Sequence, residues 1–212
     1  MSWKPTPVSA KPLAFLDTET TGLDEEKNDI IEIAIVRRDS HGVEHVLHAK
    51  VKMERPENAH PRALDVNGYS QEAWANAEDP QTFWKRLVDE RWLSDCILAG
   101  QNIQFDARFL NATFKRHGIK NRVDYHMYDT CSLALEHLKP WVRSVSLVPL
   151  CVALGLEVNN AHTALGDVRM TMAVEKSLAR ADDETRSNWA VEIPARLAAW
   201  EAAGKPNVWP AA

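Results

Sequence analysis

The chain has 212 residues, 45% of them hydrophobic, with 30 acidic against 25 basic side chains and a formal net charge of -5. That length fits one domain with small additions and is enough to bury a core. The acidic balance excludes a protein that coats nucleic acid by charge alone, though not one that grips a strand end locally. No stretch approaches ~18 consecutive apolar residues, so a transmembrane helix is excluded, and the opening MSWKPTPVSAKP has no apolar signal-peptide core. Cys96, Cys131 and Cys151 show no C-x-x-C spacing and read as small buried thiols kept reduced, which fits a cytoplasmic protein.

In chain order, residues 13–18 read as a strand. Residues 30–38 (IIEIAIVRR) read as a second and 43–53 as a third, joined by a hairpin at Ser40-His41-Gly42. Residues 54–80 read as irregular, with Pro56, Pro61, Gly68 and Pro80. A helix is expected over 81–93, where Phe83, Trp84, Leu87, Val88 and Trp92 recur at helical spacing. A short buried strand follows at 96–100, then a helix over 105–117 ending at Gly118. A strand at 125–129 and helices at 130–138, 147–154 and 163–180 come next, the last with Thr163 as N-cap. After Ala181 two short helical segments are expected, the second started by Pro194 and ended by Gly204 with Pro206 beyond, carrying Trp189 and Trp200 onto the core. A strand hairpin followed by alternating strands and helices predicts an α/β sandwich with a mixed sheet.

Two acids end the first strand, in LAFLDTETTGL. Asp17 and Glu19 point to the same face of a strand, with Cα atoms about 6.6 Å apart. A buried carboxylate needs a cation or a proton to compensate it, and paired carboxylates suit hard, oxygen-seeking cations. A solvated strand edge is the ordinary alternative. Asp106, in GQNIQFDARF, follows a buried strand in the first turn of a helix, where the helix dipole alone would favour an acid. His162 and Asp167, in HTALGD, would lie about 140° apart around an ideal helix. They can serve one site only if His162 sits on the loop before that helix.

Taken in order, D-x-E, D and H-x₄-D resemble the motifs of the DEDD exonucleases in the subclass with a histidine. DTETTGL, Asn102 to Asp106 as N-x-x-F-D, and H-x₄-D all match the DnaQ-like 3′–5′ exonuclease family over residues 12–181, in the manner of the DNA polymerase III epsilon-type domain. The resemblance implies a ribonuclease H-like exonuclease fold, α/β, with a central mixed five-stranded sheet flanked by helices. Residues 1–11 then form an N-terminal arm and 182–212 a helical extension.

It also implies that Asp17, Glu19, Asp106 and Asp167 hold two divalent cations, Mg²⁺ or Mn²⁺, with Asp17 bridging both. His162 would be the general base for release of nucleoside 5′-monophosphates from a 3′ end. In the family, the residue after the first motif's Gly wedges against the terminal bases. Here that is Leu23, with Phe105 a second apolar surface, and ordinary packing is the alternative for both. Thr18 and Thr20 would meet the terminal nucleotide, and Asn67 the 3′ hydroxyl, unless Asn67-Gly68 is simply a turn.

Lys115, Arg116, Lys120 and Arg122 would contact upstream phosphates or form a solvated helix end. Single-stranded DNA or DNA 3′ ends are the expected partners, with an exoribonuclease as the alternative. A polymerase or repair partner fits the resemblance, although GKPNVWPAA carries no Gln-led apolar clamp-binding peptide. A homodimer is also compatible, with Trp74, Trp84 and Trp92 serving an interface as well as a core.

Overall fold

The computed structural model describes residues 11–39, 41–120 and 126–205. Five strands form one mixed sheet in the order β3-β2-β1-β4-β5. β1 (Leu13–Thr20), β2 (Ile30–Arg38) and β3 (Glu44–Lys50) form an antiparallel meander; β4 (Ile97–Gly100) and β5 (Met127–Asp129) add parallel to β1. Helices α1 (Pro61–Val66), α2 (Pro80–Asp89), α3 (Ile103–Arg116), α4 (Thr130–Leu138), α5 (Leu147–Leu154), α6 (Ala164–Ala179) and α7 (Asp183–Ala202) flank it. This is the expected α/β architecture, a central mixed five-stranded sheet flanked by helices.

Strand alternation sorts the side chains of β1 between two layers. Ala14 and Leu16 join Ile33 and Ile35 of β2 in a core with Phe83 and Trp84 of α2 and Ile103, Ala107 and Phe109 of α3. Phe15 points the other way, with Ala34 and Val36, onto Ala164, Val168 and Met172 of α6. Asp17 and Glu19 continue the Phe15 face, so β1 delivers both acids to the helix that carries Asp167. At that end the pairing of β1 with β2 jumps from Glu19↔Glu32 to Thr20↔Ile30. The extra residue, Ile31, makes a β-bulge, a device that re-aims side chains beside sites. The carbonyl of Ile31 is reused, accepting from Val51 N and from Trp74 Nε1 at 2.8 Å each.

Three sequence expectations are corrected. Residues 54–80 are not irregular throughout: a 3₁₀ turn spans Pro56–Asn58 and α1 follows, begun by Pro61 at its first position and capped by His60. α2 ends at Asp89 rather than 93, because Arg91 takes a positive φ of 62° and turns the chain. Trp92 still reaches the core from that turn.

The two segments expected after Ala181 are one helix, α7, with Pro194 inside it. An internal proline costs about 3 kcal/mol by removing a hydrogen bond and crowding the preceding turn. Burial of Trp189 and Ile193 against α4, α5 and α6 offsets it, and Arg196 adds a hydrogen bond to Ala153 O at 3.1 Å. Trp74 and Trp84 are buried and Trp92 half-buried, so all three serve the core. The three cysteines form no disulfide; Cys96 and Cys151 are buried as expected, Cys131 is only half-buried, and burial pushes Cys151 up to about 12. No helix among the described residues is long and apolar enough to cross a membrane. Arg122, Ser40 and Pro206 lie outside the described residues.

Candidate active site

The acids separated in sequence meet at the carboxyl ends of β1 and β4 and the start of α6. One carboxylate oxygen from each of Asp17, Glu19 and Asp167 lies within 4.8 Å of the others. Asp106 joins from the opposite layer: Thr18, on the α3 side of β1, donates its hydroxyl to Asp106 Oδ1 at 2.7 Å. α3 is brought there by a tight turn in which Asn102 takes a left-handed φ of 55°. Asp129 stabilises that turn, its Oδ1 accepting from Asn102 N at 3.0 Å and from Cys131 N at 2.9 Å.

The H-x₄-D spacing has a direct explanation. α6 begins at Ala164, so His162 lies on the preceding loop, with a positive φ of 65°. The loop folds back until the His162 amide donates to Asp167 Oδ1 at 3.2 Å. Thr163 caps the helix by accepting from Gly166 N. Gly166 permits this fold, since a Cβ there would overlap the Asn160 carbonyl oxygen and lie 2.7 Å from Thr163 Oγ1.

The electrostatics are those of crowded anions. Burial first, then the charges of Asp106, Asp167, Glu19 and Glu32, hold Asp17 well above the usual carboxylate range. Burial pushes Glu19 up to about 8, with Asp167 and Glu32 adding to it. Burial likewise pushes Asp106 and Asp167 to about 7, although Asp106 is partly relieved by its hydrogen bond from Thr18. Among the described residues, no lysine or arginine pairs with any of the four. An all-oxygen, uncompensated cluster of this kind fits hard divalent cations. Burial pulls the half-buried His162 below its ordinary value, which keeps its ring neutral at pH 7.

A stability prediction follows. Carboxylates raised in the fold bind more protons folded than unfolded, so stability falls as pH rises from about 4, where unfolded acids titrate, to about 8. The metal-free protein should therefore melt at progressively lower temperature from pH 5.5 to 8.5, read by circular dichroism in chelator. Saturating Mg²⁺ or Mn²⁺ should remove most of that slope.

The remaining expected contacts are distributed unevenly. Thr20 donates its hydroxyl to Gly22 O at 2.7 Å, and Asn67 donates its amide to Thr20 O at 2.9 Å. The Thr18 and Thr20 hydroxyls are thus engaged inside the protein, and Asn67 braces the end of β1. Phe105 is half-buried against the α3 side of the core, 4.8 Å from the Phe109 ring. Leu23 is 79% exposed. Two residues of the basic patch face acids in and beside the Leu23 loop: Lys115 lies 3.8 Å from Glu26, and Arg116 3.7 Å from Asp29.

Glu32 is the residue that the motif reading missed. It is 2% exposed and directly across from Glu19. Its Oε1 accepts from Ala164 N at 3.2 Å and from His48 Nε2 at 2.7 Å, anchoring the start of α6. The signal was one charged residue inside the apolar run IIEIAIV, on the face of β2 that Glu19 occupies in β1.

Comparison with known proteins places this geometry. The Exonuclease family RNase_T matches residues 14–174. DNA polymerase III PolC-type of Thermotoga maritima is 32% identical over 160 residues, which is 75% of this chain but 11% of that protein. The chain thus spans about a tenth of the length of the PolC-type relatives that it matches. Oligoribonuclease of Xanthomonas euvesicatoria pv. vesicatoria is 29% identical over 175 residues, covering 74% of this chain and 81% of the relative. Among solved structures, E. coli Exonuclease I in complex with a dT13 oligonucleotide superposes with a TM-score of 0.69 at 24% identity, over 80% of this chain and 41% of that one. With a family match spanning Ala14 to Val174 and the three acidic motifs gathered at one sheet end, the chain belongs to the Exonuclease (RNase_T) family.

Proposed function

We propose that the protein is a metal-dependent 3′–5′ exodeoxyribonuclease acting on single-stranded DNA or frayed 3′ ends in the cytoplasm, and releasing nucleoside 5′-monophosphates. The observation that carries this reading is the convergence of Asp17, Glu19 and Asp167 beside Asp106, with the His162 loop folded onto Asp167. Asp17, Glu19, Asp106 and Asp167 would hold two divalent cations, Mg²⁺ or Mn²⁺. When bound, these supply charge neutralisation at the phosphate and a more acidic attacking water. His162, neutral at pH 7, takes the proton from that water. Leu23 meets the bases next to the terminus, Phe105 offers a second apolar edge, and the main chain at Thr18 and Thr20 lines the terminal nucleotide. Asn67 meets the 3′ hydroxyl through its amide oxygen, since its amide nitrogen is bonded to Thr20 O.

The PolC-type relatives favour DNA and a polymerase or repair setting. The oligoribonuclease relative, matched over most of its length, supports an RNA-trimming alternative. Incubation with 5′-labelled DNA and RNA of one sequence, in Mg²⁺ or Mn²⁺, tests both. DNA ladders shortening from the 3′ end, absent in EDTA, are expected. Faster shortening of RNA would replace the first reading with the second, and no shortening of either would overturn the catalytic reading.

The His162 loop yields a prediction of its own. Gly166→Ala forces the Asn160–Thr163 backbone to move. A displacement of about 1 Å at a catalytic group can cost roughly 10²-fold in rate. Single-turnover rates should fall by about that factor, while thermal stabilisation by Mn²⁺ persists.

A further inference from the structure

Leu23 is 79% exposed, yet the loop that carries it, residues 21–28, is anchored at both ends by buried residues, Thr21 and Asn28. At its base Thr21 N donates to Asp29 O and Asp29 N to Thr21 Oγ1, both at 2.9 Å. Asn28 spans it, accepting from Asp24 N at 2.9 Å and donating to Asn58 O at 2.8 Å. Gly22 lies so close over the Asn28 side chain that a Cβ would meet its amide carbon at 2.6 Å.

Arg55 locks this arrangement. Its Nε donates to Asp29 Oδ1 at 2.9 Å, Nη1 to Glu26 O at 2.6 Å and Nη2 to Asn28 O at 2.5 Å. Its own amide donates to Asp29 Oδ2 at 2.7 Å. Arg108 and Arg116 of α3 hold Glu25 from the other side, through its carboxylate and its carbonyl, each at 3.2 Å. All three donor nitrogens of one guanidinium are thus used to hold a loop whose only large apolar side chain faces solvent.

We propose that Arg55 is a positioning residue for substrate: it pre-sets the Leu23 loop so that the apolar side chain is already in place when a strand end arrives. The inference rests on the exonuclease reading and on Leu23 meeting the bases beside the terminus. A loop ordered in advance loses less freedom on binding, so affinity for a strand rises without a new contact. Lysine cannot substitute, because a point charge cannot bind Asp29, Glu26 O and Asn28 O together.

The test compares two substrates: a single-stranded oligonucleotide, and thymidine 5′-monophosphate 4-nitrophenyl ester, which keeps the terminal thymine but has no neighbouring base next to it for Leu23 to meet. For the oligonucleotide, Leu23→Ala and Arg55→Gln should each raise KM roughly tenfold with kcat nearly unchanged, and the double variant should be no worse than the poorer single. Arg55→Lys should resemble Arg55→Gln. On the ester, Arg55→Gln should keep kcat/KM within about twofold of the parent. Asn28→Ala loosens the loop while leaving Asp29 paired; it should show the same pattern, and serves if Arg55→Gln folds poorly.

Additive KM effects in the double variant, or a parallel loss on the ester, would overturn the proposal by making Arg55 a general structural residue. A parent that cleaves the ester but shows no oligonucleotide defect in Leu23→Ala would overturn it too, while leaving the exonuclease reading intact. A parent that cleaves neither substrate overturns that reading and this inference with it.

Discussion

Asp17→Asn should abolish strand shortening and, at the same time, make the metal-free protein more stable. Asp17 is the residue on which burial and four neighbouring carboxylates act together. Asn stays neutral in the buried site without taking up a proton, so at neutral pH the melting temperature in chelator should rise, by roughly 2–4 °C for each kcal/mol relieved in a chain of this size. Mg²⁺ or Mn²⁺ at 100 times the dissociation constant stabilises the parent by about 2.7 kcal/mol, and the variant should lose most of that increment. A cation acting on the phosphate contributes several kcal/mol to catalysis, so the rate should fall by about 10³-fold or more. Differential scanning fluorimetry with and without metal, beside a strand-shortening assay, reads all three effects. Unchanged metal stabilisation would remove Asp17 from the ligand set.

His162→Asn should separate chemistry from metal binding. The loop holds His162 at a positive φ of 65°, a conformation that Asn tolerates better than most side chains. The His162 amide can then still reach Asp167. What is lost is a ring whose burial keeps it neutral near pH 7. Loss of a general base costs roughly 10²–10⁴-fold in rate, while Mn²⁺ stabilisation and strand affinity should stay near the parent's. The acidic limb of the parent's pH–rate profile, where a protonated imidazole cannot accept, should flatten in the variant. A variant with near-parent rates would mean that another group takes the proton.

The sequence by itself determined much of this protein. Apolar runs ending in acids identified β1, and motif order with Thr163 as N-cap placed His162 ahead of α6. Local signals of this kind are readable because strand alternation and helix capping act within a few residues.

Other features belong to the tertiary structure alone. α7 continues through Pro194 because burial of Trp189 and Ile193 outweighs the local cost of the proline. Glu32 gains its role only when β2 pairs with β1 and α6 lands on its carboxylate, contacts separated by as many as 132 positions in the chain. Lys115 and Arg116 read either as phosphate contacts or as a solvated helix end, and only the fold brings Glu26 and Asp29 beside them. Arg55, unremarked in a stretch of prolines and polar residues, becomes the lock of the Leu23 loop for the same reason. A guanidinium has five donors and no preference in sequence, so only the folded chain decides which carbonyls and carboxylates it meets.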